Sequence, residues 1–388
     1  MNQNTVDAAL ADIFNPAQRT DPYPNYRRWR ESDPVARIND KFLVTTGHSA
    51  CAQVLRDPAF GHPDTKRDRS FISLDPPDHT RLRGFVSSAF TAQAVDKLRT
   101  RIKEVAAELV DKAEAAGRVD LMSSLATPLP LIIICELLGI PVTDRQRFAG
   151  WSEALANSAG PLEVRSDAVI AADMRARREF TIYFRKLVRQ RRREGGDDLV
   201  SALVAVADAG DALTEHELLA TLTLLLVAGH ETTSNLIGNC AHTLLHHPEL
   251  FDALIQDPEL IGGALDETLR YDSPIQVSAR VARADTSISE IEVPAGATVT
   301  LVIGAANRDP VVHPEPDTFD LYRRDSGQHL SFGRGIHYCL GAHLAKLQAG
   351  IALRELATRM RRPRLVGKST WRTDSATRRG LSDLPVEF

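Results

Sequence analysis

The stretch from Thr214 to about His246 limits the architecture of this chain more than any other. Thr214 followed three residues later by Glu217 forms a capping box, and no helix breaker intervenes before Pro248. The spacing predicts a helix of roughly 30 residues, or ~45 Å at 1.5 Å per residue. A helix of that length crosses a whole domain, and from Leu218 to Ala228 it is apolar on most faces, so it must be buried. The rest of a 388-residue chain has to be wrapped around it. Its middle reads Ala228-Gly229-His230-Glu231-Thr232-Thr233. A glycine, an acid and two hydroxyls are costly inside a buried helix, and such a breach of local rules points to function. A zinc-protease helix is excluded, because the second histidine it needs would fall at Ser234.

A second stretch lies near the C-terminus: Phe332-Gly333-Arg334-Gly335-Ile336-His337-Tyr338-Cys339-Leu340-Gly341. Glycines before and after the cysteine let the backbone turn tightly and approach a flat partner closely. Ala342 to Met360 reads as a long helix, so Cys339 stands just before a helix N-terminus, where backbone amides stabilise a thiolate. The lack of a second thiol nearby argues against zinc and iron–sulfur clusters, whereas haem needs a single protein ligand. A buried structural cysteine would not account for Phe332, the glycines and His337 together.

These residues resemble the Phe-x-x-Gly-x-His-x-Cys-x-Gly haem-ligand signature of the cytochrome P-450 superfamily, with Gly333 as a further typical glycine. The resemblance extends along the chain. Ala228-Gly229-His230-Glu231-Thr232 is similar to the family's Ala-Gly-x-Glu/Asp-Thr segment, which passes over the haem. Glu267 and Arg270, with Arg323, match its buried triad. His79 and Arg83, four apart after Pro76-Pro77, match its propionate-binding pair, and Arg280 its propionate-binding arginine. The form of these motifs looks bacterial.

The resemblance implies a mainly α, single-domain prism fold with a small β-rich lobe, with residues 1–388 as one haem-binding monooxygenase domain. Haem b is the implied cofactor. Cys339 would ligate its iron. His79, Arg83, Arg280 and His337 would hold its propionates, and Phe332, Gly333, Gly341, Ala228 and Gly229 would shape its slot. Gly229 is expected to let the central helix open locally. Glu231 and Thr232 would deliver protons. Leu225, Ala228, Thr232, Val277 and Ala376 would line a largely apolar substrate pocket. The implied activity is insertion of one oxygen atom from dioxygen into an organic molecule, favouring a bulky bacterial natural product. The acid–alcohol pair argues against a peroxide-driven peroxygenase, and the lack of an output domain against a haem-thiolate sensor. Electrons would come from a ferredoxin and its reductase, since no flavin or nicotinamide motif is visible. Basic clusters at Lys66, Arg67, Arg69 and at Arg378, Arg379 would flank the pocket mouth and receive an acidic group on the substrate or on a carrier protein tethering it.

Composition sets the remaining bounds. A formal net charge of -4 argues against nucleic acid. The longest apolar run, Leu218 to Gly229, is too short to span a bilayer, and four scattered cysteines suggest a reducing compartment. A monomeric cytoplasmic protein without a membrane anchor is expected. Elsewhere the patterns predict a hairpin at Val35–Ile38 and Phe42–Thr45. Helices are predicted at Asn25–Glu31, His48–Arg56, Asp75–Phe90, Ala92–Ala116, Leu125–Leu138, Thr143–Asn157, Asp167–Arg193 and Pro258–Tyr271. Strands are predicted at Val277–Val281, Thr286–Ile291, Thr298–Ile303 and Leu381–Val386.

Overall fold

The computed structural model describes residues 12–63, 69–158, 166–210, 213–359, 363–375 and 377–388. The predicted central helix runs from Glu215 to His246, 32 residues, with the capping box in place. Thr214 Oγ1 accepts from the Glu217 amide at 3.2 Å, and the Thr214 amide donates to Glu217 Oε2 at 2.9 Å. The Glu217 carboxylate also meets Arg81 at 2.6 Å, which ties the start of this helix to the helix Asp78–Ser87.

Helices Pro128–Leu137, Asp167–Glu194 and Ala342–Arg359 pack against it. Its C-terminal half, through Leu236, Ile237, Cys240 and Leu244, joins one apolar cluster with Val110, Ile133, Ala352 and Leu356. Its N-terminal half, through Leu218, Leu222 and Leu226, joins another with Phe148, Phe180 and Phe184. The helix is continuous through Gly229, so the expected local opening does not occur. Glycine is needed there for packing instead: a Cβ would lie 3.0 Å from Ile134 of the neighbouring helix.

The strands are β1 (Val35–Asn39), β2 (Phe42–Thr45), β3 (Phe60–Gly61), β4 (Arg118–Asp120), β5 (Ser278–Ala282), β6 (Thr286–Ile288), β7 (Ile291–Val293), β8 (Thr298–Leu301), β9 (Arg364–Leu365), β10 (Thr370–Trp371), β11 (Leu381–Asp383) and β12 (Pro385–Glu387). The main sheet has the order β1-β2-β8-β5-β3. The expected mainly helical fold with a small strand-rich part is what the structure shows.

Several boundaries differ from expectation. Ala92–Ala116 divides at Leu98 into two helices, where the Leu98 amide bonds back to Val95 in a tight turn. Thr286–Ile291 is not one strand but the start of the β6–β7 hairpin, which turns at Ser289 with a φ of 53°. Leu381–Val386 splits into β11 and β12, which pair with different partners. Helices Leu199–Asp208 and Pro248–Gln256 were not anticipated.

Candidate active site

The loop before helix Ala342–Arg359 is held in a tight fold by its own backbone. The Cys339 amide donates to Phe332 O at 2.8 Å. Gly333 and Gly335 take φ values of 70° and 69°, in the left-handed region that side chains resist. A Cβ on Gly335 would also strike Leu55 O at 2.7 Å. Gly341 differs: a Cβ there would meet nothing within 4 Å, so no protein neighbour explains it.

Cys51, Cys135 and Cys240 are buried, and burial pushes each thiol up to about 12. Cys339 alone is exposed. The surrounding protein nonetheless desolvates it. Enclosure raises its thiol, against which the Gly341 amide and the Arg83 guanidinium act to lower it.

On the central helix, Ala228 is exposed and Thr232 half-buried, although most of that helix is buried. They lie four apart, on one face. Thr232 Oγ1 donates to Ala228 O at 3.0 Å, the back-bond expected of a helical hydroxyl. His230 is buried, with Nδ1 at 2.8 Å from Leu226 O. Glu231 is buried, and its Oε2 lies 3.2 Å from Arg378 Nη1. Burial raises its carboxyl, against which Arg378 and Arg372 act to lower it.

The propionate candidates converge. His79 is 2% exposed, and neither ring nitrogen has a hydrogen-bond partner among the described residues. Its ring stands 4.2 Å from that of His337, whose Nε2 is also without a partner. Burial pushes His79 down, with Arg83 adding to it, and His337 down to about 3, with His79 and Arg280 adding to it; Asp75 acts the other way on both. Arg280 is buried and is pushed down to about 10 by desolvation, with Asp75 acting the other way. Arg83 Nη2 donates to Tyr338 O at 2.6 Å, joining its helix to the cysteine loop. Sequence reasoning passed over His62, Asp75 and Arg283, which border the same cluster.

The predicted triad is built. Arg270 donates to both Glu267 oxygens at 2.7 Å, Arg323 Nε reaches Glu267 Oε1 at 3.0 Å, and the Glu267 and Arg270 side chains are 0% exposed. The remaining Arg270 donors go to Pro316 O, Thr318 O and Asn307 O at 2.8, 3.0 and 3.3 Å.

The predicted pocket wall fares less well. Leu225 is buried in the cluster around Phe148 and Phe180. Val277 joins a separate apolar cluster with Tyr23, Val44 and Val302. Ala376, Lys66 and Arg67 lie outside the described residues, and Arg69 is exposed. The second basic cluster is corrected: Arg378 is turned inward to Glu231, and Arg379 is buried, ion-paired with Asp272 and stacked 3.7 Å over Trp371. Their charges are used inside the protein and are not offered at a mouth.

These residues fit the haem that the motifs imply. Buried imidazole nitrogens without partners beside Arg83 and Arg280 suit the acidic edge of a porphyrin, because buried donors must find acceptors. A single exposed thiol beside a glycine that no described neighbour requires would suit a thiolate ligand to the iron of a flat ring.

The sequence model of the family Cytochrome P450 matches residues 168–360. The chain is 39% identical over 392 residues to cytochrome P450 monooxygenase PikC of Streptomyces venezuelae, covering 95% of this chain and 91% of that protein. It is 36% identical over 410 residues to 6-deoxyerythronolide B hydroxylase of Saccharopolyspora erythraea, covering 98% and 99%. The ligand-free crystal structure of Mycobacterium smegmatis CYP164A2 superposes with a TM-score of 0.92 at 40% identity, over 98% of this chain and 100% of that one. With this similarity over nearly its whole length, the chain belongs to the cytochrome P450 family of haem-dependent monooxygenases.

Proposed function

We propose that residues 1–388 act as one unit that inserts an oxygen atom from dioxygen into a bulky, largely apolar natural product. The observation that carries this reading is the contrast among the cysteines: three are buried in the core, and the fourth is exposed, on the loop that also carries His337 of the propionate cluster. In this reading Cys339 ligates the iron. His79, Arg83, Arg280 and His337 hold the carboxylates, and Phe332, Gly333 and Gly341 shape the thiolate side. Ala228 and Gly229 border the opposite side. When bound, the haem supplies the dioxygen-activating chemistry.

The chain's own task is to move protons without flooding the site. Thr232 offers a hydroxyl that donates to Ala228 O and would be the chain's own donor on the helix face turned to the haem. Glu231 holds a carboxyl raised by burial, which suits a group that passes protons inward. The relative acting on 6-deoxyerythronolide B as a hydroxylase supports a bulky natural product as substrate. The inward turn of Arg378 and Arg379 removes one of the two charge clusters that would have favoured an acidic one. Electrons come from a small iron–sulfur protein and its reductase. Among the described residues, no helix is long and apolar enough to cross a membrane.

The test is the carbon-monoxide adduct of the reduced protein. Thiolate ligation gives a strongly red-shifted Soret band that Cys339→Ala abolishes, while alanine at Cys51, Cys135 or Cys240 leaves it in place. An imidazole-type band in the wild type would overturn the assignment of Cys339.

A further inference from the structure

We propose that His62 is a third imidazole of the site for the haem carboxylates, fixed in place by Asp75 and Arg283. The inference rests on the haem site described above and extends it to residues that no motif marks. His62 follows β3, which pairs antiparallel with β5 through Phe60↔Ala282 and Gly61↔Val281. One step further in this register, His62 stands level with Arg280. Its ring lies 4.3 Å from the ring of His337, which in turn lies 4.2 Å from His79. Three imidazoles therefore run in a row beside Arg280.

The polar accounting points to an acidic ligand with several oxygens. Nε2 of His62, Nε2 of His337 and both ring nitrogens of His79 are buried without a hydrogen-bond partner among the described residues. Asp75 is the acid that borders the row, and its oxygens are engaged elsewhere. It accepts from the His62 backbone amide at 3.1 Å and from Arg283 Nε at 2.9 Å, and it stays 3.8 Å from His337 Nε2, beyond hydrogen-bond reach. A neutral imidazole presents one nitrogen as a donor; buried donors left unpaired are costly, and two carboxylates on one ligand would accept from one nitrogen of each ring.

The loop is built to hold His62 there. Arg283 donates to both Asp75 and the His62 carbonyl, so a single guanidinium joins β5, the His62 backbone and the turn before helix Asp78–Ser87. Gly61 permits this: a Cβ at that position would lie 2.0 Å from Asp75 Oδ2. Asp75 and Arg283 are thus positioning residues, and His62 is the group that meets the ligand.

A cycle combining protein and cofactor changes tests the proposal. Apoprotein is loaded either with iron protoporphyrin IX or with its dimethyl ester, and transfer of the porphyrin to apomyoglobin is timed. Loss of a hydrogen bond to a charged group is expected to speed transfer of ordinary haem from His62→Phe about tenfold or more. The dimethyl ester should leave wild type and His62→Phe at similar rates, and His62→Gln should recover most of the loss. The propionate bending band in the resonance Raman spectrum should shift in His62→Phe with the red-shifted carbon-monoxide band retained. Equal acceleration with both porphyrins would mean that His62 acts by shape alone, and no acceleration would mean that it does not touch the ligand; either overturns the proposal. Failure of wild-type protein to show the thiolate band would instead overturn the haem site itself.

Discussion

Glu231 Oε2 lies 3.2 Å from Arg378 Nη1, and the two side chains are 11% and 9% exposed. The pair joins the middle of the central helix to the segment that bridges Ile275 at Arg378. Among the described residues, Nε and Nη2 of Arg378 and Oε2 of Glu231 have no hydrogen bond, so the charge of Glu231 is the main compensation for Arg378.

The first prediction follows from that imbalance. Removing one member of a buried ion pair leaves a charge without a partner, which costs about 3–5 kcal/mol. Arg378→Met should lower the unfolding free energy of the haem-loaded protein by that order in urea titration. Combining it with Glu231→Gln should recover much of the loss, because the stranded carboxylate is then neutral. Strictly additive losses would show that the two side chains are not coupled.

A second prediction concerns the exposed face of the central helix. Thr232→Ala removes the hydroxyl that donates to Ala228 O and leaves a residue with strong helix propensity. Stability and substrate binding should hold, while a larger share of the electrons consumed leaves as hydrogen peroxide. The readout is the ratio of product to electrons consumed. An unchanged ratio would remove Thr232 from proton handling.

How far the sequence revealed all this depends on how local each signal is. The central helix is legible because the capping pair Thr214 and Glu217, the apolar run and Pro248 all act within a few residues. Cys339 and its glycines are legible because the loop makes its own constraints. Helix Leu199–Asp208 was missed although its cap, Asp198 accepting from the Ser201 amide at 2.8 Å, is a local signal; the preceding glycines obscured it. Helix Pro248–Gln256 was missed because Pro248 was read as an end rather than as a first-turn residue. Strands β4, β9 and β10 are two or three residues long, and β4 and β9 exist only through pairing with a distant part of the chain. His62 and Arg378 carry no local pattern at all. Their meaning comes from His337 and Glu231, residues more than a hundred positions away in the chain.

The third prediction tests the triad. The Glu267 carboxylate receives Arg270, Arg323 and the Asp320 amide, the last at 2.9 Å. Glu267→Ala would strand a fully buried guanidinium at Arg270, again at a cost of about 3–5 kcal/mol. Little folded, haem-loaded protein should be recovered. Glu267→Gln, which keeps the shape and part of the hydrogen bonding, should be milder. Normal haem content in the alanine variant would show that the segment from Pro314 to Arg323 does not depend on this carboxylate.

The last prediction is a pH dependence, read at a histidine away from the haem site. The His313 side chain is 0% exposed, with Nδ1 at 3.1 Å from Asp325 Oδ2. Burial and the charge of Arg270 push it down to about 4, with Asp325 opposing and the His48 ring 5.7 Å away. The unfolded chain titrates near the ordinary value of about 6.5. Between those two values the unfolded state binds one proton more than the folded state. The stability that His313 provides is therefore complete above about pH 6.5 and is lost as the pH falls toward 4, at roughly 1.4 kcal/mol per pH unit. Other buried histidines add to the same trend, so the wild-type slope exceeds that of a single site. His313→Gln should flatten the dependence of unfolding free energy on pH by about one proton between pH 6.5 and 4.5, in urea titrations at several pH values. If the variant and the wild type keep parallel slopes, His313 does not change its proton affinity on folding, and the acid sensitivity of this protein lies elsewhere.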